Sequence, residues 1–237
     1  VTGLLVLWDV DYTLADTGGV GRLLYQQVFA EMFGGELPRP GSMAGRTDRA
    51  IVLEVLTRAG LADPGRHVPD FEALLARRAA GVAGLMRQQG RALPGAAQAI
   101  AQLAARPEVV QSLLTGNIRQ LAEVKVGELG LSCHLDLEIG AYGDASAVRA
   151  ELVPLARSRA AAAYRQDFAG HRTILVGDTP HDVAAALANG ARAVGVATGS
   201  FSVAQLEAAG AHAVLADLAD TAQAVAAITG QPGARAR

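Results

Sequence analysis

Two aspartates one residue apart, Asp9 and Asp11, close the apolar run Leu4 to Trp8, and Tyr12, Thr13 and Leu14 follow them. A carboxylate at the buried end of a strand needs a hydrogen bond, an opposite charge or a metal to offset its lost hydration. One such group can cap a turn; a second aimed the same way points to chemistry. Two further strand-like runs end in polar groups. Val109 to Leu114 leads into Thr115-Gly116-Asn117, and Thr173 to Val176 leads through Gly177 to Asp178, with Asp182 one helical turn on. Taken singly these segments have ordinary uses, since Gly-Asp-Thr-Pro is turn chemistry and Thr-Gly-Asn is a common way into a helix. Taken together they gather carboxylates that would repel one another unless a cation sat between them. Few hard oxygen ligands suit Mg²⁺, which also keeps waters and bridges phosphates. A hydroxyl, a glycine allowing close approach and amides at a helix start suit a phosphate group.

These residues require a scaffold that brings distant strand ends together. Strand-like runs at Leu4 to Trp8, Val109 to Leu114, Leu135 to Ile139, Thr173 to Val176 and Ala193 to Val196 alternate with helical patterns, and Ala213 to Leu215 adds an edge strand. The helical patterns are Ala96 to Ala105, Arg119 to Leu129, Ala147 to Tyr164, Asp182 to Asn189, Val203 to Ala209 and Asp220 to Ile228. That alternation predicts an α/β fold, a Rossmann-like parallel sheet covered on both faces. Between the first strand and the rest lie about seventy residues of helical pattern with no strand: Gly18 to Phe33, a helix from Asp48, and Phe71 to Gln89. This segment reads as an inserted all-helical cap over residues 16–92, with residues 1–15 and 93–230 forming the core. Ligands of such sheets sit beyond the carboxyl ends of the strands, which places the site between cap and core.

Composition narrows the function. The 237 residues carry a net charge of −2, a hydrophobic fraction of 51% and no basic block, so nothing marks a nucleic-acid or anionic-membrane surface. The single cysteine, Cys133, excludes an intrachain disulfide and a thiolate metal cluster, and the five histidines lie apart without zinc-like spacing. There is no run of 18 apolar residues and no charged leader with a cleavage site, so a cytoplasmic protein, monomer or homodimer, is expected. The tail Gln231 to Arg237 is expected to be disordered.

At this point the chain resembles the haloacid dehalogenase-like hydrolase superfamily, and most of all its phosphoglycolate phosphatase and β-phosphoglucomutase branch. Its first motif is matched by Asp9-Val10-Asp11-Tyr12-Thr13-Leu14, its second by Thr115, and its fourth by Gly177-Asp178-Thr179-Pro180-His181-Asp182. The resemblance implies a phosphate-monoester hydrolase for a small phosphorylated metabolite. Asp9 would be the nucleophile that forms an aspartyl-phosphate, and Asp11 the acid and base. Thr115, Gly116 and Asn117 would hold the phosphoryl oxygens, and Asp9, Asp178 and the Asp11 carbonyl would bind Mg²⁺ with Asp182 behind them. Asp11 also separates a phosphatase from a dehalogenase, because halide leaves without a proton and an alkoxide needs one.

Two positions depart from the family pattern. A lysine is usual at the start of the helix after the third strand, and here that position is Arg149. Arginine supplies the charge with a different, forked geometry. Lys125, the only lysine, is the alternative for that role although it comes from the wrong element for the family; Arg149 is favoured, which leaves Lys125 as a snorkelling surface side chain. Tyr12 stands where glycine is common. In the cap, Arg46 resembles a substrate-loop arginine, equally readable as a solvated helix-start residue; Gly140 to Ala145 is either a site rim or an ordinary loop. A phosphomutase needs the same nucleophile and acid and differs in excluding water; a non-catalytic binder of phosphorylated ligands is the third reading.

Overall fold

The computed structural model describes residues 3–230, so the tail expected to be disordered lies outside the described residues. The first strand, β1 (Leu4–Trp8), is apolar throughout because it lies inside a sheet, with a strand on either side and helices over both faces. A two-residue strand, β2 (Ala15–Asp16), leads into four helices: α1 (Val20–Phe33), α2 (Asp48–Arg58), α3 (Pro64–Ala79) and α4 (Ala83–Gln89). The return strand β3 (Arg91–Ala92) pairs antiparallel with β2, Ala15 opposite Ala92 and Asp16 opposite Arg91, and Arg91 lies 2.5 Å from Asp16 as an ion pair. The chain then alternates through α5 (Ala96–Ala104), β4 (Val109–Leu113), α6 (Arg119–Glu128), α7 (Leu152–Tyr164), β5 (Thr173–Gly177) and α8 (Pro180–Ala188). It ends with β6 (Arg192–Val196), α9 (Val203–Ala208), β7 (Ala213–Leu215) and α10 (Thr221–Thr229).

Five strands form an all-parallel sheet in the order β4-β1-β5-β6-β7. The two-residue period of β1 divides its side chains between two layers. Val6 and Trp8 pack with α5, α6 and α10 on one face, and Leu5 and Leu7 with α7, α8 and α9 on the other. Helices α1 to α4 bury a separate apolar cluster, including Leu24, Phe29, Val52, Leu56, Phe71 and Met86, and Ile118 and Leu121 at the start of α6 join it. Helix α6 therefore serves both the sheet and the helical insert. Among the described residues no helix is long and apolar enough to cross a membrane.

Three sequence expectations fail. The run Leu135 to Ile139 is turn, not strand. Its alternation arises because Leu135 and Ile139 are buried beside the sheet edge, while the backbone makes isolated bonds such as Asp136 N–H to the Gln111 carbonyl at 2.9 Å instead of a ladder. The helix read as Phe71 to Gln89 begins earlier, with Pro64 in its first turn, and is interrupted by a 3₁₀ turn at Ala80–Val82 before α4. The helix read from Ala147 starts later, with a 3₁₀ turn at Arg149–Glu151 before α7.

Candidate active site

The carboxyl ends of β1, β4 and β5 converge on one crevice. Asp9 is held at the end of β1 by its backbone N–H, which donates to the Val176 carbonyl on the neighbouring strand at 2.9 Å. Asp178 follows β5, and Asp182 sits in the first turn of α8, where it and Thr179 cap each other reciprocally. Asp9, Asp178 and Asp182 are all buried, and one oxygen from each lies within 4.8 Å of the others. This is a group that could hold a metal ion, and it includes the carboxylate of Asp182 but not that of Asp11.

Arg149 is the counter-charge to this cluster. Its Nη2 lies 2.8 Å from Asp9 Oδ1 and 2.6 Å from Asp182 Oδ1, and it donates to the Leu114 carbonyl at 3.3 Å. One guanidinium faces three carboxylates. Arg149 Nε and Asp182 Oδ1 make no hydrogen bond among the described residues. Burial, only partly offset by Arg149, pushes the Asp9 carboxyl up to about 6. Burial and the neighbouring charges of Asp9 and Asp182 raise the Asp178 carboxyl to about 8. The cluster thus has an excess of negative charge and offers carboxylate oxygens alone, a donor set that fits a small hard cation.

Asp11 has the opposite environment. Lys125, expected at the surface, is only 3% exposed. Its Nζ donates to both oxygens of Asp11, at 2.7 and 2.6 Å, and to Asn117 Oδ1 at 2.7 Å. Asn117 Nδ2 in turn donates to Asp11 Oδ2 at 2.7 Å, and the Thr17 hydroxyl to Asp11 Oδ1 at 3.3 Å. Burial alone would raise this carboxyl, but the ammonium and these donors outweigh it and hold Asp11 below the usual carboxylate range. The expectation of a snorkelling lysine is therefore wrong. The reason is legible in α6, whose buried positions are Leu121, Ala122, Lys125 and Val126. Spacings of three and four put Lys125 on the inward stripe.

The loop after β4 is cramped for a reason. A Cβ at Gly116 would collide with the Arg46 carbonyl and approach Arg149 Nη1, so only glycine lets the helical insert come down on this loop. The Thr115 hydroxyl accepts from the Asn117 side chain at 2.9 Å and from its N–H at 3.3 Å. The segment Gly140 to Ala145 braces this loop from behind: the Ala141 carbonyl accepts from Thr115 N–H at 3.1 Å, and Gly143 N–H donates to the Asn117 carbonyl at 2.8 Å.

The insert closes the crevice. Asp48 N–H donates to the Gly116 carbonyl at 2.6 Å, Ile118 N–H to Asp48 Oδ2 at 2.7 Å, and Arg149 to the Gly45 carbonyl at 3.3 Å. A cavity of about 300 Å³ is left, reached by Asp9, Asp11, Thr115, Arg149 and Asp178 from the core and by Arg22, Tyr25, Arg46 and Asp48 from the insert. Arg46 lines this space, but its guanidinium is engaged by Glu54 and by the Ser42 and Ala50 carbonyls. Thr13 donates weakly to Asp178 at 3.5 Å. Tyr12 lies at the mouth, 48% exposed, with φ of 57°, a left-handed conformation unusual for an aromatic residue. Its carbonyl accepts from the Thr198 hydroxyl at 2.5 Å. Asp48 and Lys125 are the two buried charged residues of this cavity that sequence reasoning did not assign to it.

Residues 149–221 match the family model described as HAD-hydrolase-like. This match takes in the fourth-motif segment Gly177 to Asp182 and covers less than half of the chain; over its whole length the likeness is one of fold. Among solved structures it is similar to CbbY from Rhodobacter sphaeroides in complex with phosphate, with 20% identity, 92% of this chain and 96% of that one covered, and a TM-score of 0.66. It is similar to a predicted phosphatase from Clostridium acetobutylicum at 15% identity, with coverage of 93% and 96% and a TM-score of 0.66. A haloacid dehalogenase-like family hydrolase from Streptococcus pneumoniae aligns at 14% identity, with coverage of 92% and 96% and a TM-score of 0.62. No curated protein sequence matches the chain.

Proposed function

We propose that this chain is a phosphatase, a hydrolase of small phosphate monoesters with Asp9 as its nucleophile and residues 16–92 as a cap over the site. The observation that carries the reading is the buried trio Asp9, Asp178 and Asp182 around one guanidinium, opening onto the cavity that Thr115 and Asp11 also line. Asp9 attacks phosphorus while the bond to the ester oxygen breaks, and the leaving alkoxide takes a proton from Asp11, which is ionised in the free site and takes up that proton when the anionic ester binds. Water then attacks the phosphoryl group on Asp9 and gives its proton to Asp11; the bond to Asp9 breaks, and inorganic phosphate departs. Thr115 and the Gly116 and Asn117 segment orient the phosphoryl oxygens. Arg149 fixes Asp9 in place and offsets its charge. Asp9 and Asp178, with the Asp11 carbonyl and Asp182 beside them, would hold Mg²⁺, which when bound lets an anionic nucleophile meet an anionic phosphate. The cavity of about 300 Å³ suits a small metabolite, and phosphatase neighbours of the same fold support the reaction class.

The test is phosphate release from p-nitrophenyl phosphate and a panel of small phosphate monoesters, with and without Mg²⁺, with Asp9→Asn as control. Metal-dependent release that the substitution abolishes is expected. No release from any ester by folded protein overturns the hydrolase reading, and phosphoryl transfer from a bisphosphate primer would then identify a mutase. Mg²⁺ should also raise the melting temperature of the wild type but not of Asp178→Asn.

A further inference from the structure

We infer that Lys125 is the positioning residue of this site: through a closed ring with Asn117 it aims the carboxylate of Asp11 at the water that dephosphorylates Asp9. The inference rests on the proposed phosphatase reading. The ring is complete. All three hydrogens of the ammonium are placed, two on Asp11 and one on Asn117, and Asn117 closes the loop by donating to Asp11. Asp11 sits on a loop whose next residue, Tyr12, is in a strained conformation, so its side chain needs an external brace to keep one direction. Lys125 is such a brace, because it projects from the inward stripe of α6 and is itself 3% exposed. The space it occupies is bounded by α1: Lys125 Nζ lies 3.8 Å from where a side chain at Gly21 would begin.

A second consequence follows from where α6 lies. Ile118 and Leu121 belong to the apolar cluster of the insert, and Ala122 and Val126 to that of the sheet. The lysine that aims Asp11 therefore stands on the one helix shared by both layers, so the packing of the insert reaches the base through Lys125.

The step assigned to the aimed carboxylate balances as follows. The water oxygen forms a bond to phosphorus, the bond from phosphorus to Asp9 breaks with its electron pair returning to Asp9, and the water proton passes to Asp11. With p-nitrophenyl phosphate the first half needs little acid help, because p-nitrophenolate is a good leaving group, so loss of aim should slow only the second half. Lys125→Met is expected to lower kcat by at least about tenfold with KM changed less than about threefold. Phosphorylated enzyme should accumulate in acid-quenched samples under turnover, which a general loss of structure would not produce.

Because Lys125 is the sole lysine, protein labelled with ¹⁵N-lysine gives one side-chain ammonium signal, and this reads the ring without any activity. A single slowly exchanging signal that shifts on Asp11→Asn is expected in the wild type. A signal lost to fast exchange with water, or one indifferent to Asp11→Asn, overturns the ring. If the wild type turns over ester and Lys125→Met does so equally well, or loses turnover without phosphoenzyme, the positioning role is overturned while the phosphatase reading stands. If the wild type is inactive on every ester, the phosphatase reading and the role with it fall, whatever the signal shows.

Discussion

The two aspartates that begin the site share one strand end and have opposite surroundings. Asp9 stands among carboxylates, 5% exposed, with one arginine divided between it and Asp182 and with polar atoms left unsatisfied. Asp11 is satisfied at both oxygens by a lysine, an amide and a hydroxyl, and its side chain keeps 33% of its exposure. One centre is short of positive charge; the other is closed upon itself. In the proposed reaction, this alternation of two residues would separate a nucleophile that needs a cation and a phosphate to complete it from an acid–base group that needs only to be aimed.

The comparison can be broken at its strongest point first. Asp9→Asn is expected to cut phosphate release by at least about a thousandfold, measured at saturating ester and Mg²⁺ on folded protein. A variant within tenfold of the wild type would remove Asp9 from the chemistry.

Next comes the counter-charge. Arg149→Met leaves Asp9, Asp178 and Asp182 facing one another in a buried place, and metal-free protein is expected to lose about 3 to 5 kcal/mol in urea unfolding. Lys125→Met should cost less, since Asp11 keeps Asn117 and partial access to water. Equal losses would say that the two centres do not differ in the way described.

Asp48 sharpens the contrast through pH. It is 5% exposed and accepts from Ile118 N–H at 2.7 Å. Burial outweighs that bond and the attraction of Lys125 and raises its carboxyl to about 6 from an ordinary 3.8. Its proton is therefore held more tightly in the folded state. The contribution is fully present below about pH 4 and is lost as pH rises through about 6, by at most about 3 kcal/mol. Asp48→Asn should flatten the stability profile over that window; an unchanged slope would assign the dependence to other groups.

The smallest effect is expected at Tyr12. Glycine relieves the left-handed backbone but gains freedom in the unfolded chain, so Tyr12→Gly should raise stability by no more than about 1 kcal/mol. A clear loss would mean that the half-exposed ring makes contacts that support the fold.

Much of this was legible in the sequence. The apolar strand ending in Asp9, the matching ends at Thr115 and Asp178, and the seventy-residue helical stretch all follow from periodicity, because buried parallel strands and amphipathic helices leave strong patterns. The pairing of β2 with β3 was not legible, since two-residue strands carry no period. Leu135 to Ile139 misled because alternation reports burial of one face and not ladder pairing. Arg149 was singled out because it stands where the family resemblance expects a lysine, with no partner assigned to it, and it lies 2.8 Å from Asp9 Oδ1. Lys125 was misread because a lone lysine on a helix is ordinarily solvated, although Leu121 four residues before it and Val126 beside it marked the inward stripe. Asp48 sits in a helix start with Thr47 as cap, where an aspartate is so usual that its turn into the cavity leaves no mark in the sequence.

The most direct test of the central claim is a rapid-quench single turnover of the wild type with p-nitrophenyl phosphate and Mg²⁺, followed by peptide mapping of the acid-quenched protein. The account predicts one transient phosphoryl group on the peptide that contains Asp9, formed with p-nitrophenolate release and gone when phosphate appears. Phosphate release without any phosphoryl group on that peptide, or with the group on another residue, would contradict it.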